Sequence, residues 1–240
     1  MKKMKTSTSW YLLFLFGGLL FYACEKEELA PPAVDQEIEL RASEEAGEKT
    51  ILWRGFTSGI NNRGQVIGNQ VSGWADNDKA MLWDGRQTRM LWAKGHAADL
   101  NEQGMVAGFS WDQQGRYTAM LWDGYRTRTL WKNGAAYQLN DRGQVIGSAT
   151  VHERPVAMLW DGRRAHKLWT GSANAINNRG QVVGMQEKTY TDRKAMLWNG
   201  RRAIELWNGT AYSIDERGQV VGEKFNPAGG TILMLWDGSQ

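Results

Sequence analysis

Few side chains in this sequence could carry a reaction. The single cysteine is Cys24, and the three histidines are His96, His152 and His166. The histidines lie in unrelated surroundings, so no metal or acid–base position recurs. A Gly-x-Ser-x-Gly nucleophile elbow and a phosphate-cradling glycine loop ahead of a helix are both absent. Asp76-Asn77-Asp78 has the oxygen chemistry of a calcium ligand set but lacks the full loop pattern. Glycoside hydrolysis needs two carboxylates roughly 5 to 9.5 Å apart across the scissile bond. Asp99 and Asp215 are the only acids that interrupt an otherwise uniform hairpin phrase, and both have turn or edge explanations. The expectation is a protein that is not an enzyme and uses no metal and no cofactor. Binding chemistry is better represented. Trp74, Trp111, His152, Tyr190 and Phe225 each offer a ring, with Asp76, Asp112, Glu153 and Asp192 nearby. A ring face beside a hydrogen-bonding side chain suits a sugar.

The elements that must hold these rings are written as a repeat. Met-Leu-Trp returns at Met81, Met120, Met158, Met196 and Met234, and a second Leu-Trp ends at Trp53, Trp92, Trp131, Trp169 and Trp207. Ten of the 13 tryptophans belong to these pairs, which argues for core packing over exposed sugar stacking. An Asn-x-x-Gly turn followed by a Val-x-Gly strand begins at Asn61, Asn101, Asn140 and Asn177, with Asp215 in the fifth copy. Asparagine first and glycine fourth suit a hairpin turn with glycine at positive φ. Asp84-Gly85, Asp161-Gly162 and Asn199-Gly200 read as two-residue turns of a second hairpin.

Each unit therefore predicts four short strands in about 38 residues, the measure of a propeller blade. The expected fold is all-β: a five-bladed β-propeller over residues 51–240, with the strand Ile51-Leu52-Trp53 completing the last blade. An open β-solenoid stack is the rival, and it would need capping units. The five rings fall between each Val-x-Gly strand and the next Met-Leu-Trp strand, where the repeats vary, and variable loops on a constant frame are where binding is expected. Arg63, Arg142, Arg179 and Arg217 occupy the third turn position in four units. They are either a basic rim for acidic polymers or solvated turn residues whose stems cover neighbouring tryptophans.

The amino terminus sets the compartment. Lys2, Lys3 and Lys5 precede an apolar stretch from Trp10 to Tyr22, then Ala23 and Cys24, the order of a signal peptide over residues 1–23. The stretch is short of the roughly 20 residues that cross a bilayer. Without the three signal lysines, 26 basic residues balance 26 acidic ones, which does not suit a nucleic-acid partner. Residues 24–50 read as an acidic, disordered tether carrying Pro31-Pro32.

Three resemblances follow from the residues. Phe21-Tyr22-Ala23-Cys24 resembles the lipobox of bacterial lipoproteins, with phenylalanine where leucine is usual, and implies a lipid on Cys24 holding the protein to a membrane. Glu25-Lys26-Glu27-Glu28 looks like the signal that sends some Gram-negative lipoproteins to the outer face of the outer membrane. A periplasm-facing location is the alternative, and a solvated linker is the plain reading of that charge run. The phrase Ile176-Asn177-Asn178-Arg179-Gly180-Gln181-Val182-Val183-Gly184, followed by Ala195-Met196-Leu197-Trp198, resembles the HAF-type extracellular repeats of bacteria over residues 51–240. The name-giving His-Ala-Phe reads Lys79-Ala80-Met81, Thr118-Ala119-Met120 and Lys194-Ala195-Met196 here. The resemblance implies an extracellular repeat domain without an assigned enzymatic activity. The expected partner is a glycan or surface polymer held by the five loops of a monomeric propeller. A structural or protein-interaction platform at the outer membrane is the second reading, and a glycoside hydrolase the third.

Overall fold

The computed structural model describes residues 49–71, 77–189, 192–226 and 228–238. Cys24, the signal peptide and nearly all of the tether lie outside the described residues, as do Trp74, Asp76 and Tyr190. Residues 50–240 form one compact unit built of strands.

Each repeat supplies strands in the order a, b, c, d. The first contains β1 (Gly55–Ile60), β2 (Val66–Gln70), β3 (Lys79–Trp83) and β4 (Thr88–Ala93). The second contains β5 (Gly95–Leu100), β6 (Val106–Trp111), β7 (Tyr117–Trp122) and β8 (Thr127–Lys132). From the third onward the strands are β9 (Gly134–Leu139), β10 (Val145–Val151), β11 (Arg154–Trp160), β12 (Ala165–Ile176), β13 (Val182–Glu187), β14 (Arg193–Trp198), β15 (Ala203–Ile214), β16 (Val220–Phe225) and β17 (Thr231–Trp236). All neighbours pair antiparallel.

The propeller expectation is overturned. The strands form three sheets, β1–β4, β5–β8 and β9–β17, and none of them closes: β1 and β17 are both edges. The nine-stranded sheet arises because β12 and β15 each run through the d position of one repeat into the a position of the next. Between β4 and β5, and between β8 and β9, that passage is broken at Lys94 and Asn133, which adopt φ of 49° and 56°. Nor does Ile51-Leu52-Trp53 complete the last repeat. The Leu52 carbonyl accepts a hydrogen bond from Thr88 Oγ1 at 3.5 Å, as Leu91 accepts one from Thr127 at 3.1 Å. Trp53 lies against Gly68 of β2. The segment is thus taken up by the repeat that follows it in the chain.

That placement explains the Val-x-Gly phrase. A Cβ on Gly68, Gly108, Gly147 or Gly222 would lie 2.8 to 2.9 Å from Cζ2 of Trp53, Trp92, Trp131 or Trp207 respectively. The indole Nε1 of Trp92, Trp131 and Trp207 donates to a carbonyl of the adjoining b strand at 2.9 to 3.0 Å. Glycine is required because a Cβ would collide first with a carbonyl oxygen of the adjoining a strand, 2.0 to 2.1 Å away, and then with the indole ring. Trp92, Trp131 and Trp169 are buried, so these rings fill the core and offer no face to a ligand.

Consecutive repeats stack, and the core lies between them. Ala107, Leu121 and Ala119 of the second repeat pack with Ala136, Leu139 and Val145 of the third. The Asn-x-x-Gly turns stack in the same register. In each, the asparagine Oδ1 accepts from backbone N–H groups two and four residues on, while its Nδ2 donates to the equivalent carbonyl of the next repeat. Asn61 reaches Asn101, Asn101 reaches Asn140, Asn140 reaches Asn177 and Asn177 reaches Asp215, at 2.9 to 3.0 Å. The expected glycine conformation is present, with φ of 71° at Gly64 and 72° at Gly143. The second hairpin differs from expectation: Trp83 pairs Thr88, leaving a four-residue loop in which Asp84 Oδ1 accepts from the N–H groups of Arg86 and Gln87.

Candidate functional site

Antiparallel order places every b–c connection at one end of the strands and the Asn-x-x-Gly and Asp-Gly turns at the other. The b–c connections vary in length. They span residues 71–78, 112–116, 152–153, 188–192 and 226–230. The five rings expected there are not equivalent. His152 and Glu153 are the two residues of a tight hairpin turn, at φ of 48° and 63°, with Val151 paired to Arg154. His152 is exposed at the tip of that turn, and among the described residues no aromatic ring is paired with it. Phe225 ends β16, paired to Thr231 and 40% exposed.

Trp111 stands in different company. It ends β6, and on the same surface lie Phe109, two residues earlier, Tyr117 across the hairpin on β7, and His96 on β5. Ring centroids separate Trp111 from His96 by 5.3 Å edge-on, from Phe109 by 6.3 Å and from Tyr117 by 6.4 Å. Phe109 in turn lies 5.4 Å from His96 and 5.3 Å from Tyr117. Strand alternation accounts for the grouping: residues two apart on β6 share a face, and cross-strand partners carry it onto β5 and β7. Tyr117 is about half exposed and the other rings are half-buried, so the group is an open aromatic shelf.

A polar pair borders the shelf. His96 Nε2 lies 3.0 Å from Asp78 Oδ2, and Asp78 also holds the chain through its carbonyl, which accepts from the Gly95 N–H at 3.0 Å. The Asp78 side chain is 11% exposed against 38% for His96. Asp78 Oδ1 is buried and has no hydrogen-bond partner among the described residues. Sequence reasoning chose Trp111 but missed His96, Phe109, Tyr117 and the role of Asp78. The available signal was the departure of one repeat from the rest: Phe109 occupies a position held by Asn69, Ser148, Met185 and Glu223 elsewhere.

The remaining candidates have local duties. Asp112 closes its own loop, accepting from the Arg116 N–H at 3.0 Å and pairing with its guanidinium at 2.7 Å. These hydrogen bonds, the backbone one first, hold its carboxyl below the usual range. Asp192 lies 3.7 Å from Lys194. Asp99 is committed to backbone: its oxygens accept from Leu100 and from Leu139 of the next repeat, both at 2.9 Å. Burial nonetheless pushes its pKa up. Among the turn arginines, Arg63 and Arg179 donate to the turn carbonyls of Glu102 and Arg217 in the following repeats, and Arg217 pairs with Asp215 at 3.0 Å. Three of the four are therefore engaged in the turns themselves. Among the described residues no group of three or more histidine, cysteine or acidic side chains is placed to hold a metal ion.

No protein-family model matches the chain, and no curated protein shows significant similarity to it.

Proposed function

We propose that this protein is a lipid-anchored, extracellular, non-enzymatic repeat protein that binds glycans or surface polymers, with its principal contact at the second repeat. The observation that carries the reading is the shelf of Phe109, Trp111 and Tyr117 beside the His96–Asp78 pair. A pyranose stacks its C–H face on such rings, while its hydroxyls reach the exposed part of the His96 ring, which Asp78 holds in place. The principal contact is placed at the second repeat because Trp111 has this platform, which among the described candidates His152 and Phe225 do not share.

The test is binding of residues 50–240 to a panel of neutral and acidic glycans and bacterial surface polymers, beside Trp111→Ala and Tyr117→Ala. Each ring is expected to contribute about 1 kcal/mol, a several-fold weakening per variant. Saturable binding that both folded variants retain at full strength would remove the site from this shelf, and no binding by the parent would defeat the reading for the ligands tried.

A further inference from the structure

The turn ends of the repeats are built alike, and one junction among them is left open. Four positions recur at each junction: the first residue of the Asp-Gly loop, the d-strand residue five further on, the tryptophan that ends the next c strand, and the third turn position of the next repeat. At the first junction these are Asp84, Arg89, Trp122 and Gln103, and the Arg89 guanidinium lies over the Trp122 ring, 5.6 Å from its centroid. At the third, His166 Nε2 lies 2.6 Å from Asp161 Oδ2, and Arg179 donates to the Arg217 carbonyl at 3.3 Å. At the fourth, Asn199 and Ile204 carry no charge, and Arg217 pairs with Asp215 at 3.0 Å.

The second junction differs at several of these positions together. Asp123, Arg128, Trp160 and Arg142 line, with Met105 and Leu121, a cavity of about 180 Å³. Arg128 Nε donates to Asp123 Oδ2 at 2.6 Å, which fixes one guanidinium at the wall. Hydrogen bonds, the Arg126 N–H first and then the Arg128 side chain and the Tyr125 N–H, outweigh burial and hold the Asp123 carboxyl at about 2, so the pair stays charged. Among the described residues no cation lies over Trp160, which is half-buried, and the Arg142 guanidinium has no hydrogen-bond or ion-pair partner. Met105 follows the turn glycine where the other four repeats have glutamine. Gln65, Gln144 and Gln181 accept from their turn asparagines at 2.8 Å, whereas Met105 brings a thioether that makes the floor apolar.

We propose that this cavity is a second binding site, for a carboxylate carried on a sugar ring, as in the uronic acid units of acidic glycans. Arg142 and the terminal nitrogens of Arg128 offer donors to both carboxylate oxygens, and the C–H face of the sugar lies on Trp160. Two guanidiniums and one carboxylate among the lining residues leave one positive charge, which a monoanion neutralises; a phosphate dianion would meet Asp123 as an excess charge. The cavity is smaller than the roughly 300 to 1,000 Å³ of pockets for larger ligands, so it takes one sugar unit at a time. It lies at the turn end of the strands, opposite the aromatic shelf at the b–c end, and it stands whether or not the shelf binds a glycan.

The experiment is a ligand-detected NMR titration of the full chain in detergent with galacturonate, its methyl ester and galactose 6-phosphate, beside Arg142→Gln and Arg201→Gln. Arg201 is an exposed loop arginine of the fourth repeat. Galacturonate is expected to bind saturably, with the ester, the phosphate and the Arg142→Gln variant each at least about fivefold weaker and Arg201→Gln unchanged. No binding of galacturonate, equal binding of the ester, tighter binding of galactose 6-phosphate, or an equal loss in Arg201→Gln would each overturn the proposal. A loss in Trp111→Ala with none in Arg142→Gln would also overturn it, by moving the ligand to the shelf.

Discussion

Replacing Asn140 by aspartate tests whether the turn ladder holds the repeats together. Asn140 is 5% exposed; its Oδ1 accepts from the N–H groups of Arg142 and Gln144 at 3.0 Å, and its Nδ2 donates to Asn177 O at 2.9 Å and Gln144 Oε1 at 2.8 Å. Asn140→Asp keeps the shape and both accepted bonds but removes both donors. Gln144 can turn its amide over and repair one contact, and Asn177 O keeps the Gly180 N–H at 3.0 Å. What remains is one lost inter-repeat bond and a buried carboxylate facing a carbonyl oxygen. The first costs about 1 kcal/mol and the second about 2 kcal/mol more at neutral pH. A total near ~3 kcal/mol lowers the melting temperature of a unit this size by about 6 to 12 °C. The sign of the pH dependence follows from the same contacts. Burial and facing acceptors raise the folded pKa of the new carboxyl above its unfolded value, so the penalty is present above the folded pKa. It fades as pH falls through that value, because the protonated acid again donates to Asn177 O. Thermal unfolding of residues 50–240 at pH 7.5 and pH 4.5, each variant against its parent, reads both quantities. A melting temperature unchanged at pH 7.5, or an equal loss at the two pH values, would refute the ladder as a stabilising element.

Three further outcomes are expected from the same unfolding measurements. Asp215→Asn changes stability by no more than about 0.5 kcal/mol, because position 215 ends the ladder and its side chain is 38% exposed with Arg217 as its ion partner; a loss matching Asn140→Asp would show that position, and not the onward bond, matters. Gly147→Ala destabilises by more than about 3 kcal/mol, since a Cβ there collides with the Ala135 carbonyl oxygen and lies 2.8 Å from Trp131 Cζ2, whereas Gly162→Ala meets no atom within 4 Å and costs about 1 kcal/mol for its φ of 98°; equal effects would refute the clamp. Asp161 sits at a pKa of about 2, where burial pushes upward but is outweighed by hydrogen bonds from the Arg164 N–H, the His166 ring and the Arg163 N–H; its folded pKa is depressed below the ordinary aspartate value of 3.8, so its stabilisation is present above that value and is lost as pH falls towards 2. The stability gap between the parent and Asp161→Asn therefore narrows across that acid window, and a gap constant with pH would count against the pairing.

The parts of this molecule that could be read from sequence are those set by chemistry within a few residues. Asn61 and Asn140 announce turns because an asparagine oxygen caps two N–H groups of its own loop, and Gly64 and Gly143 follow because only glycine is at ease with the φ those turns impose. Whether the repeats close into a ring is a different kind of question. It depends on the rotation between successive repeats, which is set by side-chain sizes at the junctions and is not written in any one repeat. The Leu-Trp phrase misled for the same reason: its periodicity makes Ile51-Leu52-Trp53 look like a missing outer strand, but the fit of Trp53 over Gly68 binds it to the strand that comes next. Leu233 stands where the other four repeats have a buried alanine, and Asp215 where they have the ladder asparagine, so the fifth repeat departs from the rest at two junction positions. The site obeys the same logic. His152 was chosen for its place in a variable connection, yet two turn residues cannot build a platform, whereas His96 lies on a regular strand and gains its significance from Asp78 and Trp111, brought beside it by pairing. In a repeat protein the common residues therefore specify the unit, and the departures from them specify what one repeat presents that its neighbours do not, as Phe109 does on β6.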